Sequence, residues 1–263
     1  MDLEIDGDAA LVTASSSGLG RASAKALARE GADVLVNGRD PERLARAVEE
    51  IESVATGDVV GETADITERE ELEGLVARAV DEFGRLDHLV TSAGGPPPFR
   101  PLETDDGEWY RTYDLLVMSV VRAVRAAAPH LRADGGGTIV NITSRTVKEA
   151  APSNVLSSSV RMAVVGLEKT LSTELAPEVR ANAVLPGSHE TPRIEELIEY
   201  AVERGEIESY EAGVEARTEG VPLGRLGDPR ELGDLVAYLS SPRSGFVNGQ
   251  AVTIDGGAGS STL

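Results

Sequence analysis

Short apolar, β-branched runs recur along the chain. Each is followed by a longer stretch in which apolar residues return every three or four positions. The runs fall at Ala10–Thr13, Asp33–Asn37, Val59–Thr63, His88–Thr91, Thr138–Thr143, Val179–Leu185 and Gln250–Ile254. Each reads as a buried strand. The stretches between them read as helices: RASAKALAREGA after the first strand, Pro41–Ala55, a Glu-rich segment from a Thr67 cap to about Phe83, Asp106–Leu131, a long segment beginning near Ser153, and Asp228–Leu239. Local chemistry sharpens two boundaries. Gly31 is the expected C′ stop of the first helix, and Asp40 with Pro41 the expected N-cap and first residue of the second. Ser188–Gly220 is polar and irregular and is predicted to carry one or two helices. Strands alternating with helices of about 10–15 residues predict βαβ units. The expected fold is a Rossmann-type, doubly wound α/β domain, a single parallel sheet of about seven strands covered by helices on both faces. Such sheets bind ligands at the carboxyl ends of their strands.

Three strand ends carry candidate chemistry. The first strand runs into Ala14–Gly20, ASSSGLG, and then a helix. Small residues there let the backbone approach a pyrophosphate, and the helix start offers free N–H groups and a positive dipole end. The stretch is not G-x-G-x-x-G, and a plain tight turn is the alternative reading of it. The second strand ends in Asn37-Gly38-Arg39, with no acid before Asp40. An acid at this place holds a ribose 2′-hydroxyl, whereas an Arg accommodates a 2′-phosphate. Arg39 therefore points to NADP(H) over NAD(H), with a solvated surface Arg as the alternative. The fifth strand ends at Ser144. Ser157 and Arg161, four residues apart on the next helix, share one face of it. A hydroxyl at a strand end opposite a hydroxyl and a cation suits either an active site or an ordinary helix surface.

Composition narrows the partners. The 263 residues suffice for one well-buried α/β domain. The net charge is −20, and only Lys25, Lys148 and Lys169 among the 25 basic residues are lysines. An acidic, lysine-poor surface suits high salt, where screening removes self-repulsion. Duplex nucleic acid is not expected as a partner, because phosphate binding needs a basic patch. There is no Cys, hence no disulfide, thiol nucleophile or Cys-ligated metal, and no metal site is expected. No apolar run approaches the roughly 18 residues of a membrane span, and MDLEIDGD is not a signal peptide. These features predict a soluble, cytoplasmic protein.

The segments ALVTASSSGLGRA, ADIT, LDHLVTSAG, TIVNITS, ANAVLPGSHET, VPLGRLGDPRELGDLVAYL and NGQAVTIDGG stand in an order and spacing that resemble the short-chain dehydrogenase/reductase family, 3-oxoacyl-acyl-carrier-protein reductase type. The resemblance runs almost end to end. It implies that Ala14, Ser16, Ser17, Gly18, Leu19 and Gly20 cradle the cofactor and that Asp65 and Ile66 border its adenine. Ser92, Ala93 and Gly94 would line the floor, and Pro186, Gly187 and Thr191 the nicotinamide half. It also implies a homotetramer or homodimer, with Asp228–Gly257 between subunits, and a substrate lid over residues 188–220. The acids of that lid argue against a highly anionic substrate.

The chain departs from the family at its catalytic residues. The family has Gly at the place of Ala14, and its active-site Asn falls on Leu116. Its Ser is kept as Ser144, but its Tyr falls on Ser157 and its Lys on Arg161. In the family the Tyr hydroxyl moves the proton, the Lys lowers the Tyr pKa and holds the ribose, and the Ser polarises the carbonyl. Ser157 is a weaker acid on a shorter side chain. Arg161 stays protonated and serves as a fixed charge or a ribose donor. Ser144, Ser157 and Arg161 are accordingly the candidate catalytic residues, with water, His189 or Tyr113 as proton sources. Three functional readings follow: an NADP(H)-dependent oxidoreductase of a small carbonyl or alcohol substrate, a binding protein without turnover, and a non-catalytic partner of an active paralogue.

Overall fold

A computed structural model of the chain describes residues 1–133, 135–151 and 154–262. The strands are β1 (Ala9–Val12), β2 (Asp33–Gly38), β3 (Val59–Thr63), β4 (His88–Thr91), β5 (Gly137–Ile142), β6 (Val179–Pro186) and β7 (Ala251–Ile254). They form one seven-stranded sheet, order β3-β2-β1-β4-β5-β6-β7, with all pairs parallel. The helices are α1 (Gly18–Arg29), α2 (Pro41–Glu52), α3 (Arg69–Phe83), α4 (Asp106–Tyr113), α5 (Ser119–Leu131), α6 (Val155–Glu174), α7 (Pro192–Glu203), α8 (Tyr210–Thr218) and α9 (Pro229–Ser240). The fold is the doubly wound, single-domain α/β architecture expected from the strand–helix alternation.

Strand residues alternate between two cores, one on each sheet face. Leu11, Leu35, Leu89 and Ile139 meet α3, α5 and α6 on one side. Ala10, Val12, Val34, Val36, Val90 and Val140 meet α1, α2 and α9 on the other. Small residues set the closest approaches. A Cβ on Gly233 of α9 would stand 2.4 Å from the Ala22 carbonyl oxygen, so only glycine lets α9 lie so close to α1.

Several boundaries differ from the sequence reading. Asp40 and Pro41 open α2 as expected, the Asp40 side chain accepting from the Arg43 N–H. Gly31 follows α1 at φ +96°, a conformation glycine adopts freely. Thr67 does not cap α3. The helix starts at Arg69 behind Glu68, and Thr67 turns back to give its N–H and hydroxyl to Asp65 Oδ1 at 2.9 and 2.8 Å. The stretch Asp106–Leu131 is not one uniform helix, because a π-helical turn, Asp114–Met118, separates α4 from α5. Ser153, near which the sixth helix was expected to begin, lies outside the described residues; α6 itself runs from Val155. The polar insertion forms α7 and α8. Among the described residues no helix is long and apolar enough to cross a membrane.

Candidate active site

The sheet order reverses between β1 and β4, so the turns leaving these strands diverge and open a crevice at their carboxyl ends. The Thr13 hydroxyl staples the two turns together. It donates to the Ser92 carbonyl at 2.8 Å and accepts the Ser92 N–H at 3.0 Å. From this point a continuous cleft of about 1200 Å³ extends along the sheet edge. Its lining includes Ala14, Ser16–Gly20, Arg39, Asp65, Ile66, Ser92–Gly94, Ser144, Ser157, Arg161, Pro186, Gly187 and Thr191. The sequence candidates are thus gathered around a single cleft.

The nucleotide end is shaped by close backbone approaches. A Cβ on Gly20 would lie 2.6 Å from the Ala14 carbonyl oxygen, and one on Gly38 2.6 Å from Ser16 Oγ. Ser17, the N-cap of α1, makes no side-chain cap bond, and the first turn holds no acid. The helix start therefore faces the cleft with its N–H groups and positive dipole end free. Ser15 has no place on the cleft. It is fully buried and pins the turn, its hydroxyl donating to the Val12 carbonyl at 2.6 Å and accepting the Asn37 N–H at 2.9 Å. Arg39 is exposed and reaches Asp65 at 3.6 Å. Partial burial pushes the Asp65 carboxyl up, but the Thr67 bonds and the Arg39 charge outweigh it and hold the pKa below the ordinary value.

At the other end Ser144 leads a short 3₁₀ turn, Arg145–Val147. Its Oγ accepts from the Thr146 N–H at 3.2 Å and the Thr146 hydroxyl at 3.0 Å. Thr146 Oγ1 also lies 3.4 Å from Ser157 Oγ. Three hydroxyls therefore form one chain, and Thr146, its middle member, was not foreseen. Its signal depends on how the turn folds, which the sequence pattern does not carry. With both Thr146 donors on Ser144, the Ser144 proton is free to point into the cleft.

Arg161 lies one turn beyond Ser157 on α6, is only 7% exposed, and lines the cleft. Its Nη1 donates to the Ile142 carbonyl at 3.4 Å and its Nη2 to the Gly94 carbonyl. Nε has no partner, and no acid pairs with the guanidinium among the described residues. Burial pushes its pKa down to about 10, so it remains a cation at neutral pH. Leu116 sits in the π-helical turn, 2% exposed, and presents no polar group.

Two proton sources suggested by the sequence fall away from the cleft lining. His189 is buried with its ring against Gly227, and Nδ1 lies 3.2 Å from the Gly187 carbonyl. Burial lowers its pKa and keeps it neutral. Tyr113 is exposed at the end of α4, neither in the core nor on the cleft. Two residues of the polar insertion that the sequence reading passed over, Arg193 and Glu196 on α7, do line it.

A doubly wound parallel sheet with an open helix start at its switch point defines a Rossmann-type protein. Comparison with known proteins gives the family. The family described as enoyl-(acyl carrier protein) reductase matches residues 13–259. An uncharacterized oxidoreductase from Methylorubrum extorquens is 36% identical over 262 residues, 97% of this chain and 98% of that protein. The 3-oxoacyl-acyl-carrier-protein reductase of Thermotoga maritima is 30% identical over 256 residues, 97% of this chain and 99% of that protein. The crystal structure of L-sorbose reductase from Gluconobacter frateurii, complexed with NADPH and L-sorbose, matches with a TM-score of 0.94 at 28% identity, covering 99% of this chain and 100% of that one. The chain belongs to the short-chain dehydrogenase/reductase family.

Proposed function

We propose that the chain is an NADP(H)-dependent oxidoreductase that interconverts a carbonyl and an alcohol on a small substrate, with a hydroxyl chain in place of the family's Tyr and Lys. The observation that carries this reading is the unbroken cleft. It runs from Arg39 and Asp65, past the free start of α1, to Ser144, Ser157 and Arg161. The residues present fit a dinucleotide, because the cradle at Gly20 and Gly38 has no room for a Cβ and the α1 start holds no competing acid. In this reading Arg39 meets a 2′-phosphate, Asp65 and Ile66 the adenine, and Pro186, Gly187 and Thr191 the nicotinamide half; their common lining of one cleft supports it.

When bound, the nicotinamide supplies or accepts the hydride. The protein's residues do the rest. Ser144 gives its free proton to the substrate oxygen as a hydrogen bond. Arg161 holds a permanent positive charge beside it and stabilises the negative charge that develops there. Ser157 donates to Thr146, and Thr146 to Ser144, so a proton passed from Ser144 to the substrate oxygen is replaced along the chain. Water in the space left by the short Ser157 side chain replenishes Ser157. Residues 188–220 act as the lid. Positioning alone is worth about 7–11 kcal/mol, more than the roughly 10²–10⁴-fold of one acid–base group, so a modest rate is expected.

Steady-state assays with NADPH and NADH, at high salt, on a panel of ketones, oxo acids, sugars and 3-oxoacyl thioesters test the reading. Turnover lowered by Thr146→Val supports it. Nucleotide binding without turnover on any of them favours the second reading, a binding protein or partner subunit, for which buried Leu116 and the missing Tyr speak. High salt suits the −20 charge. A homotetramer or homodimer is supported by Phe246, fully exposed within Asp228–Gly257.

A further inference from the structure

Arg161 and Arg193 both reach carbonyls of the loop that follows β4. Arg161 on α6 donates to the Gly94 carbonyl. Arg193 on α7 donates to the Pro96 carbonyl at 2.7 Å, and a Cβ on Gly95 would lie 3.8 Å from its Nε. Both line the cleft that Ser144 and Ser157 also line. Their charges are not equally answered. Arg193 pairs with Glu196 at 3.3 Å. Among the described residues Arg161 meets only carbonyls, and two of its five N–H groups are accounted for. A buried cation without a counter-ion is costly unless an anion joins it. The planar guanidinium fork matches a carboxylate with two parallel bonds. Ser157, one helical turn before Arg161 on the cleft, is small and leaves room beside it.

We propose that the wall between Arg161 and Arg193 is a carboxylate-binding subsite, and that the substrate is an oxo acid whose carboxylate lies there while its carbonyl oxygen meets Ser144. This rests on the oxidoreductase reading for the word substrate, but the subsite itself does not. In an acid with the carbonyl next to the carboxylate, one guanidinium reaches oxygens on both carbons. It therefore fixes the substrate and faces the charge that forms on the carbonyl oxygen. The acids of the lid do not oppose this, because the acid that lines the cleft there, Glu196, is already paired with Arg193. A single negative charge fits, and a dianion meets Glu196.

The test is binding without turnover. The full-length protein is saturated with NADP⁺, so that no hydride is available, and titrated calorimetrically with 2-oxobutyrate, its methyl ester and 2-butanone. The acid is expected to bind at least tenfold more tightly than the ester or the ketone. Arg161→Gln should bring the acid to within about twofold of the ester, Arg161→Lys should keep part of the preference, and Arg193→Gln should weaken the acid by a smaller factor. The nucleotide-induced rise in melting temperature checks that each variant is folded. Equal binding of acid and ester by the unaltered protein overturns the subsite, and so does a preference that survives Arg161→Gln. Acid preference without reduction in an NADPH assay leaves the subsite standing and removes only the oxidoreductase reading.

Discussion

Asn37 Oδ1 accepts the backbone N–H of Ala14 at 3.0 Å, and the Asn37 carbonyl accepts those of Ser15 and Ser16 at 2.8 and 3.1 Å. The amide group of Asn37 reaches on to the Glu62 and Ala64 carbonyls. One side chain thus ties the first turn to the ends of β2 and β3. The knot matters because Ala14 has φ +46°, a region that L-residues avoid. A residue persists there when its surroundings over-determine it.

Replacing Ala14 by Gly should relieve this strain. The left-handed region costs a non-glycine residue about 1–2 kcal/mol, of which the freer unfolded chain of a glycine returns about 0.5–1 kcal/mol. A net gain of up to about 1 kcal/mol is expected, which for a chain of this size is a rise of roughly 2–4 °C in melting temperature. A lower melting temperature would show that the Ala14 methyl packs usefully and that the turn is not strained.

Arg161→Met should stabilise the nucleotide-free protein at pH 7. The unfolded chain holds this proton to a distinctly higher pH, whereas burial releases it at about 10 in the folded state. Between these values the unfolded state binds more protons and stability rises with pH; below pH 10 the whole penalty is present. A difference of that size corresponds to about 3 kcal/mol, and the two lost carbonyl bonds offset about 1 kcal/mol each. A net gain of about 1 kcal/mol by denaturant unfolding is the expected outcome, together with loss of catalytic activity. Destabilisation beyond about 2 kcal/mol would mean that the carbonyl bonds outweigh the buried charge.

Glu168 offers a pH test of a second buried group. It lies two turns beyond Arg161 on α6, 2% exposed, and accepts from Asn141 Nδ2; Asn141 in turn accepts from the Thr91 hydroxyl. Glu168 Oε1 has no partner. Burial raises its pKa well above 4.5, so the folded protein keeps a proton that the unfolded chain gives up near that value. The folded state then binds more protons, and stability falls as pH rises from about 4.5 toward the folded pKa. Glu168→Gln cannot ionise and should show a flatter profile, with its advantage over the unaltered protein growing across this window. Parallel profiles would place Glu168 in a wetter setting than its burial indicates.

Much of this architecture was legible in the hydrophobic pattern. All seven strands are there: the central ones, buried on both faces, must be short apolar runs, the partly exposed edge strands β3 and β7 are marked by their β-branched residues, and Asp40-Pro41 and Gly31 mark helix ends by local chemistry. The π-helical turn at Leu116 was not legible, since one extra residue in a turn barely disturbs a 3.6-residue period. Nor was the burial of Arg161 and Glu168. A charged residue on an amphipathic helix reads as surface, and only the packing of α6 over β5 and β6 places both inside. The relation of Ser144 to Ser157 depends on Thr146 in a 3₁₀ turn, and His189 looked available until Gly227 closed over its ring. Sequence patterns report periodicity and local capping; these features depend on how loops meet across the sheet edge.

The double replacement Ser157→Tyr and Arg161→Lys tests what the site has given up. Both positions line the cleft, one helical turn apart, on the face that looks toward Ser144. A phenol at 157 supplies a stronger acid than a serine hydroxyl, and a lysine at 161 keeps the cation while lowering the phenol pKa. A positioned acid–base group is worth about 10²–10⁴-fold, so reduction of a neutral ketone with NADPH should rise by a factor in that range. The same replacement narrows the space beside Arg161 and exchanges the guanidinium fork for a point charge. Oxo acids should therefore lose their advantage over neutral ketones even as the ketone rate climbs. A rise for ketones with no loss for acids would separate proton supply from anion recognition. No rise at all, in a protein that still binds nucleotide, would place the limit at Leu116, where no polar group organises water toward the cleft.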